Sequence, residues 1–243
     1  MAASLITVPA FASAKDGVRH FFGTRHRAPV VYETGVPSPA AGSEGHAWLL
    51  SVKQVHGTDA LIVDRPVTAG DRFEGEWDAL ITDQPGVTVV VRTADCVPVL
   101  VYDRGNRAVA AIHAGWRGAL AGIVPKTVQT MITRFRVQAD DLRVSIGPSA
   151  GPCCYEVDQS VLEPLRSRRQ DWRALLQDDR GSKAQLDLKA LVRRQTAESG
   201  IPSEHITVVN VCTICHPALF YSYRREGRVN GTMLNGIALV SRR

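Results

Sequence analysis

Three residues able to grip one metal ion lie far apart in this chain: His56, which closes the segment KQVH before Gly57, Cys96 in TADCVPVLVYD, and His113 in AAIHAGWRG. Two imidazoles and a thiolate are borderline to soft donors and suit zinc, with copper possible at the same donors. Three protein ligands leave the fourth tetrahedral position open, which is the pattern of a catalytic ion rather than a structural one. Such an ion polarises a substrate oxygen or lowers the pKa of a water to about 7. No short ligand pair of the C-x-x-C or H-E-x-x-H kind anchors the set, so convergence has to come from the fold.

Val87–Val91 is a β-branched run of the kind buried on both faces. The turn signal Asp103-Arg104-Gly105-Asn106 separates Val97–Tyr102 from Ala108–Ile112 as in a hairpin, which puts Cys96 and His113 at the same end of a sheet. Further strands are expected at Leu5–Val8, Val18–Phe22, Trp48–Val55, Leu61–Val63, Asp78–Ile81, Leu142–Ile146, Ile206–Val211 and Ile237–Val240. After Trp116-Arg117-Gly118, the apolar residues Leu120, Ile123, Val124, Val128, Met131, Ile132 and Phe135 recur at helical steps. Asp158–Arg169 and Asp187–Ser199 are helical, the latter capped by Asp187 and ended by Gly200, with a charged connector between them. Pro29–His46 and Ala69–Trp77 are loops. Many strands with few intervening helices define α+β: packed mixed sheets flanked by helices.

The chain has 243 residues, 44% of them hydrophobic, enough for a buried core in one compact domain spanning 1–243. The net charge of +5 favours anionic small molecules. The basic residues form no stripe with interleaved aromatics, so nucleic acid is not an expected partner. No apolar run reaches the roughly twenty residues of a membrane span. The start has small residues at Ala12–Ala14 but no basic leader, and Pro9 breaks its apolar core; a cytoplasmic location is expected. Five cysteines, an odd number, fit reduced thiols better than a disulfide framework.

KQVHG at 53–57, TADCVPVLVYD at 93–103, AAIHAGWRG at 110–118 and IGPSAGPCCYEV at 146–157, with FFGTR at 21–25 and FYSYRREG at 220–227, resemble the YfiH-like, laccase-domain or polyphenol oxidase family. Its members are described as purine nucleoside phosphorylases. The resemblance implies a zinc site on His56, Cys96 and His113 in an α/β/β/α layered sandwich similar to the CNF and YfiH-like cysteine hydrolase fold. It also implies phosphorolysis of adenosine, inosine, guanosine and methylthioadenosine, with adenosine deaminase activity at the same site. Two segments depart from the family pattern: Arg25 runs into HRAPVVYETG, and Asn230-Gly231-Thr232 stands where many members have Thr-Gly-Arg.

Phosphorolysis needs a cation to hold phosphate near C1′, and Arg25, Arg117 and Arg224 are the candidates, because guanidinium grips phosphate bidentately. Asp95 can orient a ligand imidazole or accept a proton, and Gln54 can hydrogen-bond base or ribose. The implied partners are a purine nucleoside and phosphate, in a monomer or weak homo-oligomer. Rival readings are a metal-independent hydrolase with Cys96 as nucleophile and His113 as base, a copper polyphenol oxidase, a peptidoglycan precursor editing factor, and a binding module without catalysis. Cys212-Thr213-Ile214-Cys215-His216 matches the c-type haem pattern, which belongs to exported chains; a structural thiol pair is the favoured reading. Cys153 and Cys154 are expected to be packing residues.

Overall fold

The computed structural model describes residues 5–11, 17–26, 34–39, 48–105 and 107–240. The first sheet contains β1 (Leu5–Ile6), β2 (Val18–Gly23), β3 (Ser38–Pro39), β4 (Trp48–Ser51), β7 (Val87–Thr93) and β15 (Met233–Leu239), in the order β1-β2-β15-β7-β4-β3. The second contains β5 (Ala60–Val63), β6 (Ala79–Thr82), β8 (Val97–Asp103), β9 (Val109–Ala114), β10 (Leu142–Ile146) and β14 (Ile206–Val208), in the order β14-β10-β8-β9-β6-β5. Both are mixed: β4 runs parallel to β7, β5 to β6 and β10 to β14, and the other pairs are antiparallel. In a small third sheet, β12 (Leu176–Gln177) and β13 (Lys183–Leu186), from the connector expected to be merely charged, join β11 (Glu156–Asp158), which precedes it. The helices are α1 (Trp116–Leu120), α2 (Ile123–Phe135), α3 (Gln159–Arg168), α4 (Leu188–Glu198) and α5 (Tyr223–Glu226).

Every residue of β8 and β9 is buried, because this hairpin lies between two cores. Val97, Val99, Val101, Ala110 and Ile112 face the core shared with α2 and α4. Their neighbours Leu100, Tyr102, Val109 and Ala111 pack against Val89, Val91 and Ile237 of the first sheet. The alternation of side chains along each strand thus serves two layers at once. The layered α+β arrangement of mixed sheets expected from the sequence is the one observed.

Several boundaries move for local reasons. The single helix expected after Trp116 is divided at Gly122, whose left-handed φ of 85° ends α1 and starts α2. β4 stops at Ser51, since Lys53 bridges instead to Glu76. β14 ends at Val208, and β15 starts as early as Met233. After Ile6 the chain turns into a short 3-10 segment at Pro9–Phe11. The segment Ala12–Ala14, most of the Pro29–His46 loop, and Asn106 of the hairpin turn lie outside the described residues.

Candidate active site

The hairpin brings two of the three donors together. Val97 pairs with Ala114 and Pro98 with His113, so Cys96, one residue before β8, stands beside the last turn of β9. His56 arrives from the loop after β4, and its Nε2 lies 3.7 Å from the Cys96 Sγ. The rings of His56 and His113 meet edge to face at 4.8 Å. One ligand atom from each of the three residues falls within 4.8 Å of the others, a donor set that fits a single ion. His113 is buried, Cys96 half-buried and His56 exposed, so the set opens to solvent on the His56 side.

What fixes these side chains is a residue the sequence reading counted only as the start of a strand. Asp78 is fully buried, and its carboxylate accepts the His113 Nδ1–H at 2.7 Å. The same carboxylate accepts backbone N–H groups of Val55, His56 and Gly57 at 3.2, 2.9 and 2.6 Å. One side chain therefore sets the tautomer of one imidazole and the loop that carries the other. Burial opposes its charge, but His113 and these N–H groups outweigh burial and hold its carboxyl below the ordinary value. The only local signal was a charged residue placed directly ahead of the apolar strand β6.

Gly115 and Gly118 explain the AGWRG segment. A Cβ on Gly115 would lie 2.5 Å from the His56 ring, and one on Gly118 would lie 2.7 Å from the Gly57 carbonyl. The turn from β9 into α1 is thus packed directly on the His56 loop. His56 itself holds a positive φ of 63°, and Asp95 one of 97°. Such a backbone costs about 1–3 kcal/mol and persists only where surroundings hold it.

Asp95 does not orient an imidazole, contrary to expectation. Its carboxylate accepts Thr213 Oγ1 at 2.5 Å, Ser222 Oγ at 2.9 Å and the Arg224 backbone N–H at 2.8 Å. It docks the segments that carry Thr213, Ser222 and Arg224. Gln54 is likewise engaged, giving Nε2 to the Arg92 carbonyl and accepting the Arg92 N–H, both at 2.8 Å. These two bonds hold the amide against the Arg92 backbone. Arg25 stacks 4.9 Å over the Tyr221 ring and donates to the Pro217 carbonyl at 2.6 Å, anchoring a loop rather than facing the cleft.

Arg117 and Arg224 do reach the site. Both line a cleft of about 380 Å³ that has His56, Asp95 and Cys96 along its wall. Arg117 stacks on Trp116 at 4.2 Å, and Arg224 on Tyr155 at 4.7 Å while donating to the Glu156 carbonyl. Tyr155, Tyr223 and Leu188 complete an aromatic and apolar surface opposite the donors. Trp116, Tyr155 and Tyr223 were not among the expected site residues, since an aromatic beside an arginine is common on any surface. Burial raises the Tyr155 hydroxyl to about 12, so it stays protonated at neutral pH.

The thiol chemistry is equally defined. Burial alone would raise the Cys96 thiol, but His113 and His56 outweigh it and bring it down to about 6. Burial lowers His113, while Cys96 and Asp78 more than reverse that and carry it to about 9. Each group thus favours the charged form of the other.

A layered α+β fold that presents one thiol and two imidazoles to an arginine-lined cleft is the class this geometry defines. Residues 38–240 match the model of the family described as multi-copper polyphenol oxidoreductase laccase, and the chain belongs to that family. It is 38% identical over 192 residues to a purine nucleoside phosphorylase of Bacteroides thetaiotaomicron, covering 76% of this chain and 71% of that protein. To the purine nucleoside phosphorylase YlmD of Geobacillus stearothermophilus it is 38% identical over 205 residues, 79% of this chain and 71% of that one. The crystal structure of that YlmD superposes with a TM-score of 0.80 and 29% identity, over 99% of this chain and 98% of that one. No helix among the described residues is long and apolar enough to cross a membrane.

Proposed function

We propose that this protein cleaves purine nucleosides with phosphate, using zinc held by His56, Cys96 and His113. The observation that carries the reading is the placement of two guanidiniums, Arg117 and Arg224, in the same cleft as the convergent donors, in a chain similar to proteins named purine nucleoside phosphorylase. A phosphate oxygen forms its bond to C1′ as the C1′–N9 bond breaks, and the departing base takes up the proton that hydrogen phosphate gives up, directly or through water. Arg117 and Arg224 hold the phosphate and offset its charge. Trp116 and Tyr223 give the purine a flat apolar surface, and the neutral Tyr155 hydroxyl is a donor to the sugar or base. When bound, the ion supplies Lewis acidity toward an oxygen of the substrate or a water, which also suits deamination of adenosine at the same place.

Copper fits the same three donors, but the other histidines among the described residues join no larger cluster. Among the described residues, His20 accepts from the Val8 N–H, His26 contacts the Ala218 carbonyl, His205 pairs with Arg143 and His216 with the Cys212 carbonyl. The mononuclear reading is therefore preferred over a multi-copper one. A metal-independent route through Cys96 is favoured by one observation, the closeness of its sulfur to two imidazoles, 3.7 Å from the His56 Nε2 and within 4.8 Å of a His113 ring nitrogen.

The test is incubation of zinc-loaded protein with inosine and phosphate. Release of hypoxanthine together with ribose 1-phosphate, lost on chelation and restored by zinc, is the expected result. Absence of product from every purine nucleoside tried would end the proposal, and activity untouched by chelator but abolished by alkylation would favour the thiol route. Arg117→Ala and Arg224→Ala are each expected to raise KM for phosphate about 10-fold, or about 1.4 kcal/mol of lost binding.

A further inference from the structure

A second cluster of soft donors lies outside the cleft. Cys153 and Cys154, in the loop between β10 and β11, meet Cys212 and Cys215, in the segment after β14, with all four sulfurs within 4.8 Å of one another. The Cys215 sulfur lies 3.4 Å from that of Cys153 and 3.2 Å from that of Cys154. All four are free thiols, and Cys153 and Cys215 are exposed, which corrects the expectation that Cys153 and Cys154 serve packing. Four sulfurs around a tetrahedral cation with bonds of about 2.3 Å stand roughly 3.8 Å apart, close to the spacings seen. Cys212 and Cys215 also have the C-x-x-C spacing of structural zinc sites.

We propose that Cys153, Cys154, Cys212 and Cys215 form a tetrathiolate site for one zinc-type cation, distinct from the ion at His56, Cys96 and His113. The surroundings suit the negative charge such a set retains. The Gly151 N–H donates to the Cys212 sulfur at 3.2 Å, and the buried ammonium of Lys189 donates to the carbonyl of Val211, next in chain to Cys212, at 3.1 Å. The His216 ring meets the Cys212 carbonyl through Nδ1 at 2.9 Å, and the four donors that converge are all sulfur. A complete set of four closes the coordination sphere, so the ion is structural. Its place gives it a purpose: the backbone already joins the two segments through Thr213 N–H and the Ser149 carbonyl, at 3.0 Å. Tyr155, directly after Cys154, lines the cleft, and Thr213 bonds Asp95. The cation fastens together the two segments that carry one wall of the cleft.

The experiment uses the full chain purified under reductant. Cys96→Ser protein, which lacks the only thiolate of the first site, is titrated with cobalt(II). One equivalent is expected to bind with intense thiolate-to-cobalt absorption in the near ultraviolet and to be displaced by one equivalent of zinc. Introducing Cys153→Ser and Cys215→Ser, both at exposed positions, is expected to abolish that absorption. Elemental analysis of zinc-loaded wild-type protein is expected to give two ions per chain. A Cys96→Ser protein with no sulfur-to-cobalt absorption overturns the site, as does an unchanged spectrum after the two further substitutions or a zinc content that is the same in wild-type protein and in the Cys153→Ser, Cys215→Ser variant. None of these readouts depends on nucleoside cleavage, so the site and the proposed reaction stand or fall separately.

Discussion

Asp78 and Gly115 together decide whether the three donors meet. Asp78→Asn keeps the shape but removes the charge that holds His113 and three backbone N–H groups. A loss of about 10- to 100-fold in zinc affinity is expected, measured by competition with a chromophoric chelator. Asp95→Asn leaves the Asp78–His113 contact intact and is expected to keep zinc while loosening the segment at Ser222 and Arg224. Equal zinc loss in both variants would show that Asp78 has no special hold on the ligands. Gly115→Ala forces its methyl into the His56 ring, and the misfit is expected to cost about 1–3 kcal/mol in urea unfolding and to weaken zinc binding as well. At this scale the donors were legible because each is a polar interruption beside an apolar run. Arg25 and Gln54 were misplaced because residue type does not say that a guanidinium will stack on Tyr221 or that an amide will pair with the Arg92 backbone. Asp78 was missed because nothing in a strand's first residue announces four acceptor bonds.

Among elements, the β8–β9 hairpin was the most readable, since a turn signal between two apolar runs fixes both pairing and which ends coincide. The helix after Asp187 followed from its cap, which accepts the Ala190 N–H as expected; Asp158, read only as the start of a helix, also caps it by accepting the Ser160 N–H. Asp187→Ala is expected to lower stability by about 1 kcal/mol in chemical denaturation. The first turn of α4 also carries Leu188 at the cleft and Lys189 beside the cysteines, so fraying there should raise KM more than it lowers kcat. What stayed hidden were the short strands. β3 and β12, two residues each, are too short to show a period and pair at the edges of their sheets, while β13 alternates over only four residues, Lys183–Leu186.

On the scale of the whole molecule, His20 links stability to pH. It is buried in β2, accepts the Val8 N–H at Nε2, and burial lowers its pKa from 6.5 to about 4. The folded chain holds this ring neutral, whereas the unfolded chain protonates it below about 6.5. Its contribution is therefore full above about pH 6.5 and is lost as pH falls toward about 4, on the order of 2–3 kcal/mol over that window. His20→Gln retains an acceptor without the titration. Urea unfolding at about pH 7 and about pH 5 should then show a steeper loss for the wild type than for the variant. The order of the first sheet has a consequence for how such a chain comes into being. Its middle position, between β2 and β7, belongs to β15, the strand furthest along the described sequence. Before β15 is made, β2 and β7 have no common neighbour in their sheet, although Val89 and Val91 of β7 already have the β8–β9 hairpin to pack on. The nascent protein must wait, with two bare edges open to mispairing, until its final strand slots in like a keystone.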